Sequence, residues 1–160
     1  MTAILAIDPG TEQSGWCYFY RGGVTLSGVE SNVALLERMA LFCNPPDALA
    51  IEMVASYGMP VGREVFETCV WIGRFKQAWP RPEEVRLVYR PDVKLFLCGT
   101  HRAKDSNVRQ ALIDKLGRVG TKADKGPLYG VTSHAWAAVA VAVTAAEQMR
   151  DPLSSKTKAA

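Results

Sequence analysis

Long apolar runs are missing from this chain of 160 residues. The longest weakly polar stretch, Val131 to Ala146, is interrupted by Ser133 and His134 and is shorter than the roughly 20 residues that a membrane-spanning helix needs. The N-terminal residues also lack the basic segment and cleavage site of a secretory signal peptide. We therefore expect no membrane span and a cytoplasmic location.

Cysteine and histidine are too few and too scattered for a structural zinc site. The chain has four cysteines with no CxxC pair, and only two histidines. Because cytosolic proteins rarely contain disulfides, we expect four reduced, buried thiols. The charged fraction of 22% and the apolar fraction of 48% exclude a disordered, collagen-like or coiled-coil chain. One domain over residues 1–150 and a flexible tail over residues 151–160 are predicted.

Positive charge is scarce in the first part of the chain. Residues 1–72 hold three arginines against eight acids, a net charge of −5, whereas residues 73–160 hold sixteen bases against eight acids, a net charge of +8. The segment from Arg102 to Lys125 alone contains seven bases and three acids. This asymmetry favours a polyanionic partner such as a nucleic acid, and a solvated basic surface is the alternative.

Alternation of short apolar segments with amphipathic ones predicts an α/β fold. Strands are predicted at residues 3–7, 16–20, 24–29, 48–53 and 85–89. Helices are predicted after Ser31 and over residues 63–78, 92–98, 105–116 and 133–149. The first three strands form a hairpin meander, so we expect a mixed five-stranded sheet, with antiparallel and parallel strands, flanked by helices.

Three local features of these helices are also predicted. Ser31 and Ser133 are expected to cap the first and last helices, since a serine side chain accepts a hydrogen bond from a free N–H of the first turn. Val33 is expected on the buried face of the first helix. The Gly- and Lys-rich segment 117–130 is expected to be a mobile surface loop.

Two carboxylates follow buried strands. Asp8 ends the first strand in the triplet Asp-Pro-Gly, and Glu52 ends the fourth. If these strands are parallel neighbours, both acids meet at the carboxyl edge of the sheet, where α/β folds place their ligands. Two clustered carboxylates repel each other, and a hard divalent cation such as Mg²⁺ is the usual compensation. The alternative for Asp8 is a purely structural role in opening a turn.

The runs at residues 4–11 (ILAIDPGT), 50–54 (AIEMV) and 133–140 (SHAWAAVA) together resemble the RuvC-like Holliday junction resolvases. Residues 57–62 (YGMPVG) and 102–108 (RAKDSNV) are similar to the phage-borne branch of that family. The resemblance implies an RNase H-like fold, a homodimer, and hydrolysis of phosphodiesters in four-way DNA junctions by two cations, Mg²⁺ or Mn²⁺, per subunit. A phage origin would place the protein in the bacterial host cytosol.

The resemblance also implies catalytic and metal-binding roles for Asp8, Glu52 and His134. Family members carry a fourth ligand, an aspartate one helical turn after His134, where this chain has Ala137. An engineered knockout, a natural loss, or a site with fewer protein ligands and more water would each explain the alanine. The sequence thus predicts a structure-selective DNA endonuclease. The alternative is a catalytically silent protein that binds branched DNA.

Contacts to DNA are predicted from the basic segment and one aromatic residue. Many relatives place an aromatic wedge three residues after the second carboxylate; this chain has Ala55 there, so Tyr57 or Met59 is the candidate replacement. Flexible basic side chains suit sequence-independent phosphate contacts. The predicted phosphate-binding residues are Arg102, Lys104, Arg109, Arg118, Lys122 and Lys125.

Overall fold

The computed structural model describes residues 1–150, and the predicted tail at 151–160 lies outside the described residues. The strands are β1 (Ile4–Asp8), β2 (Gln13–Tyr20), β3 (Gly23–Ser31), β4 (Ala48–Met53) and β5 (Arg86–Tyr89). The helices are α1 (Asn32–Ala40), α2 (Arg63–Ala78), α3 (Arg90–Cys98), α4 (Asp105–Leu116) and α5 (Ala135–Arg150). None of the helices within residues 1–150 is long and apolar enough to cross a bilayer.

The five strands form one mixed sheet in the order β3-β2-β1-β4-β5. The pairs β1–β2 and β2–β3 are antiparallel, whereas β1–β4 and β4–β5 are parallel. The predicted α/β class, with its meander and parallel strands, is therefore confirmed. Because β1 is central, the segment that follows it lies at the middle of the sheet's carboxyl edge.

Alternate side chains of the central strand enter two separate cores, as the period of two in a strand requires. Ala6 faces a core built largely on α5, where nine helix residues from Ala135 to Ala145 are buried. Ile7 faces a second core that includes Leu35 of α1 and Phe75 of α2. Small side chains on the sheet and on α5 allow close packing on the first side, as the alanine-rich sequence predicts.

Several local predictions were wrong. Val33 is 54% exposed, because α1 turns Leu35 and Met39 toward the core instead. Of the four cysteines only Cys17 is buried, and Cys43 is exposed. Burial raises the pKa of the Cys17 thiol to about 12.

The predicted cap at Ser31 is confirmed. Its side chain accepts a hydrogen bond from the backbone N–H of Ala34 at 3.2 Å, at the start of α1.

The segment 117–130, expected to be a mobile loop, is a compact turn. A β-bridge joins Gly120 to Lys125, and the backbone N–H of Gly126 donates to the carbonyl of Val119 at 2.9 Å. A Cβ on Gly126 would lie 2.0 Å from the carbonyl oxygen of Arg118, so the turn can close only around a glycine. The glycines therefore allow a tight backbone approach rather than free motion.

Candidate active site

Asp8 and Glu52 lie side by side at the carboxyl edge of the sheet. Strands β1 and β4 are paired in parallel with Ile7 opposite Ile51, which places the next residue of each strand at the same level. The side chains are largely buried, with 14% of Asp8 and 10% of Glu52 exposed. The predicted meeting of these two acids therefore follows from the pairing of β1 with β4.

His134 approaches the same edge from the segment before α5. Its Nδ1 lies 3.1 Å from Oδ2 of Asp8, and 60% of its side chain is exposed. Ser133, predicted as a helix cap, instead adopts a φ of 46°, in the left-handed region that few non-glycine residues occupy. This backbone conformation directly precedes His134, so a strained residue contributes to the placement of the imidazole.

Gly15 on β2 makes this approach possible. It is paired with Asp8, and a Cβ at position 15 would lie 2.3 Å from the carbonyl oxygen of His134. Only a residue without a side chain lets the backbone before α5 come so close to the sheet. The contact between His134 and Asp8 therefore depends on a glycine in the neighbouring strand.

A buried polar network stabilises the turn that follows Asp8. The Asn32 side-chain amide donates to the carbonyl of Gly10 at 2.9 Å, and the Ser14 hydroxyl donates to Oδ1 of Asn32 at 2.6 Å. The backbone N–H of Gly10 donates in turn to the Ser14 hydroxyl at 3.3 Å. Ser14 and Asn32 are both buried, so each hydrogen bond is costly to lose.

Arg90, which was not predicted as a site residue, links Glu52 of β4 to Asp105 of α4 at this edge of the sheet. Its Nη1 donates to Oε1 of Glu52 at 2.9 Å, and its Nη2 donates to Oδ1 of Asp105 at 2.6 Å. Arg90 begins α3 directly after β5, the parallel neighbour of β4. A signal for it was present, because a buried carboxylate such as Glu52 requires a cation nearby and an arginine directly follows the adjacent strand.

The electrostatics of the site are unfavourable for two bare carboxylates. Burial, followed by the negative charge of Glu52, raises the pKa of Asp8 to about 6, although His134 and Arg90 act in the opposite direction. Burial alone lowers the pKa of the Arg90 guanidinium. Its ion pairs with Glu52 and Asp105 outweigh this and hold that pKa above the ordinary value. An added cation between Asp8 and Glu52 would therefore be stabilised.

These side chains line an open cavity of about 690 Å³. Asp8, Glu52 and His134 are all in its wall, so the three predicted site residues share one cavity. Ala137 lines it as well, which shows that the position one turn after His134 faces the site. Further charged residues of the wall are Glu12, Arg90, Lys94, Asp105 and Arg109.

The donor set fits a hard divalent cation only in part. Two carboxylates and an imidazole are suitable oxygen and nitrogen ligands. Within residues 1–150, however, no three acidic, histidine or cysteine side chains are close enough to form a ready-made metal cluster. Two features explain this: Glu52 is paired with Arg90, and position 137 carries a methyl group instead of a carboxylate. Assignment of Asp8, Glu52 and His134 as metal ligands remains a prediction.

Comparison with solved structures identifies the fold. Thermus thermophilus RuvC in complex with a Holliday junction substrate superposes with a TM-score of 0.70 at 20% sequence identity, covering 94% of this chain and 96% of that chain. A second Thermus thermophilus RuvC structure gives a TM-score of 0.68 at 20% identity, covering 92% and 95%. The chain has the RuvC fold. A scan against protein-family models and a search of curated proteins give no match.

The RuvC fold brings only one of the predicted DNA-binding residues into the cavity wall. That residue is Arg109, whose guanidinium lies 4.5 Å from the centre of the Trp136 ring. Trp136 of α5 is partly buried and also lines the cavity. Lys94 of α3 is a second basic residue of the wall, and sequence reasoning missed it.

The other predicted DNA-binding residues are exposed outside the cavity wall. Arg118 is engaged by Asp124, to which its Nη2 donates at 2.7 Å, whereas Lys125 lies over the ring of Tyr129 at 5.2 Å. Tyr57 is 60% exposed, with a φ of 47°, in the segment that follows β4 of this RuvC fold. Arg102, Lys104, Arg118, Lys122 and Lys125 are all exposed. Their contact with DNA remains a prediction.

Proposed function

We propose that this protein is a metal-dependent endodeoxyribonuclease that cuts Holliday junctions or other branched DNA. One observation carries the proposal: Asp8, Glu52 and His134 line a single cavity, at the carboxyl edge of a sheet with the RuvC fold. The solved RuvC structure with that fold contains a Holliday junction substrate. A phage origin and a cytoplasmic location remain predictions.

Asp8, Glu52 and His134 are the residues that would hold the cations, Mg²⁺ or Mn²⁺, with two per subunit in the active form. When bound, such cations lower the pKa of a water nucleophile and stabilise the leaving oxygen of the phosphodiester. The contribution of this chain is to hold the two carboxylates together despite their repulsion. His134 contacts Asp8 at 3.1 Å and so orients that carboxylate from the open side of the cavity.

Ala137 supports a second candidate function, a catalytically silent protein that binds branched DNA. Its side chain lines the same cavity as His134, so a carboxylate at this position would reach the site. Without such a carboxylate, a second cation would have water in place of a charged ligand at this position. The basic surface and the cavity would still bind DNA in this case, because phosphate contacts do not require the cations.

Basic side chains around the cavity suit a DNA backbone. Arg109 and Lys94 line the wall itself, and the exposed bases from Arg102 to Lys125 extend the positive surface beyond it. Stacking on Trp136 pre-orients the Arg109 guanidinium, which reduces the entropy lost when it contacts a phosphate.

A homodimer is part of the proposal, and α2 offers a surface for it. Phe66 and Val70 are 63% and 62% exposed and lie one turn apart on the helix face that points away from the core. Gly73 lies on the same face, and a Cβ at this position would have no atom within 4 Å. An exposed apolar stripe with a small residue favours packing against an identical helix.

Incubation with a labelled four-way junction and a linear duplex of equal length tests the proposal. We expect junction-selective cutting in Mg²⁺ or Mn²⁺, none in EDTA, and none by Asp8→Asn under any condition. Binding without cutting in either metal, with Asp8→Asn binding equally well, supports the silent binder. Equal binding and equal cutting of the junction and the duplex would refute both candidate functions.

A further inference from the structure

We propose that Arg90 exchanges partners when the site is loaded. In the free protein its guanidinium neutralises Glu52. In the loaded protein a divalent cation takes over Glu52, and Arg90, still held by Asp105, contacts a phosphate of the DNA. This inference rests on the proposed function, because it describes how the same cavity receives cation and substrate.

The burial of Glu52 requires a counter-charge at all times. Its side chain is 10% exposed, and Arg90 is the partner that donates to it, at 2.9 Å. Asp8 lies at the same level of the neighbouring strand and adds repulsion rather than compensation. An unpaired carboxylate in this position would be strongly destabilising, because a buried charge loses its hydration. The free protein therefore holds a positive group where a metal ion would otherwise act.

Arg90 and a cation compete for the same carboxylate. A divalent ion on Glu52 would lie within a few ångströms of the guanidinium, and like charges at that distance repel strongly in a partly buried site. Release of Arg90 would therefore make the Glu52 carboxylate available to a cation.

Asp105 determines where the released guanidinium goes. It accepts from Nη2 at 2.6 Å and is 74% exposed, so it holds Arg90 from the solvent side of the cavity. The Arg90 side chain is itself 40% exposed and lines the wall. With Glu52 taken, Nη1 is left without an acceptor at the mouth of the cavity. A phosphate oxygen is the matching acceptor, because arginine binds phosphate with two or more charge-assisted hydrogen bonds.

Mn²⁺ affinity without DNA is the first measurement, by calorimetry on the wild type, Arg90→Gln, Arg90→Lys and Arg81→Gln. Arg90→Gln should bind Mn²⁺ at least about fivefold more tightly than wild type, since a competing charge is removed. Arg90→Lys keeps that charge and should remain near wild type. Arg81→Gln is the matched control, because it removes the same charge from a surface pair with Glu84 that is not in the cavity wall.

Junction affinity in Ca²⁺ is the second measurement, and it uses Asp105→Asn. Removing an acid near DNA strengthens binding by general electrostatics, whereas reducing the Arg90 tether from an ion pair to a hydrogen bond with a neutral amide should weaken binding about threefold. Asp105→Asn retains the pair between Arg90 and Glu52, so it tests the idea even if Arg90→Gln does not fold.

Two results would overturn the exchange: Mn²⁺ binding by Arg90→Gln that is no tighter than wild type, or junction binding by Asp105→Asn that is as tight as wild type or tighter. Failure of the proposed function is a different result, because the wild type would then bind and cut junction and duplex equally. Tight Mn²⁺ binding confined to Arg90→Gln would support the exchange even then.

Discussion

At residue 137 a methyl group faces the cavity where a carboxylate would complete the second cation site. We expect the wild type to cut junctions feebly and Ala137→Asp to cut about a hundredfold faster, since each 1.36 kcal/mol of transition-state stabilisation is worth about tenfold in rate. Single-turnover cleavage by both proteins across a Mg²⁺ titration measures this. Robust cutting by the wild type without gain from the aspartate would show that another group already serves the second cation.

Asp8 should make the stability of the metal-free protein depend on pH. Its pKa rises from 3.8 to about 6 on folding, so the folded state holds the proton more tightly than the unfolded state. The stability that this proton contributes is complete below the unfolded value and is lost as the pH rises through the folded one. We expect the free energy of unfolding to fall by roughly 1–3 kcal/mol over that window.

Denaturant titrations in EDTA at about pH 4.5 and about pH 7 measure this effect against Asp8→Asn, which has no proton to lose. The variant retains the contributions of all other acids, so only the difference between the two proteins is assigned to Asp8. The same pH response in both proteins would contradict the prediction.

At the scale of elements, the contact between β2 and the start of α5 has no room for a side chain at Gly15. In Gly15→Ala the new methyl group meets the His134 backbone, so we expect a loss of about 1–3 kcal/mol in stability and a weaker contact between His134 and Asp8. Thermal unfolding reports the first effect, and the NMR shift of the His134 imidazole reports the second. Gly23→Ala is the control, because nothing lies within 4 Å of a Cβ at that position.

The exposed face of α2 is predicted to hold two copies of the chain together. Phe66→Glu or Val70→Glu should convert a dimer to a monomer, because a buried unpaired charge is costly at an interface. Light scattering after size-exclusion chromatography measures the mass. Val33→Glu is the matched control, since Val33 is 54% exposed on α1. A wild type that is monomeric at all concentrations would contradict the homodimer.

At the scale of the whole molecule, the basic surface should make junction binding strongly dependent on salt. Each phosphate contact releases counterions, so removing one basic contact should lower the slope of log affinity against log salt by about 1. We expect this for Lys122→Gln and Lys125→Gln in fluorescence binding assays. Arg21→Gln is the control, because it follows β2 at the edge of the sheet opposite Asp8. An unchanged slope in both variants would show that Lys122 and Lys125 do not contact phosphates and belong to a solvated surface.

Sequence alone determined most of the local structure of this protein. The position of Asp8 at the end of β1, the bounds of β4 and α2, and the cap at Ser31 all follow from short-range patterns of apolar residues, glycine and proline. These signals act within a few residues, so they can be read before any tertiary contact is known. The two acids of the site were found because each lies at the carboxyl end of a buried strand, Asp8 as the last residue of β1 and Glu52 as the residue before the last of β4.

Tertiary structure alone decided which charges meet. Arg90 and Asp105 are far from Glu52 in the chain. The one signal for Arg90, its position directly after β5, points to Glu52 only once β5 is known to lie beside β4. Their contact depends on the parallel pairing of β4 with β5 and on the packing of α4 beside α3. The close approach at Gly15 has the same origin. Ion pairs and backbone approaches of this kind are set by distances between elements, which residue spacing along the chain does not contain.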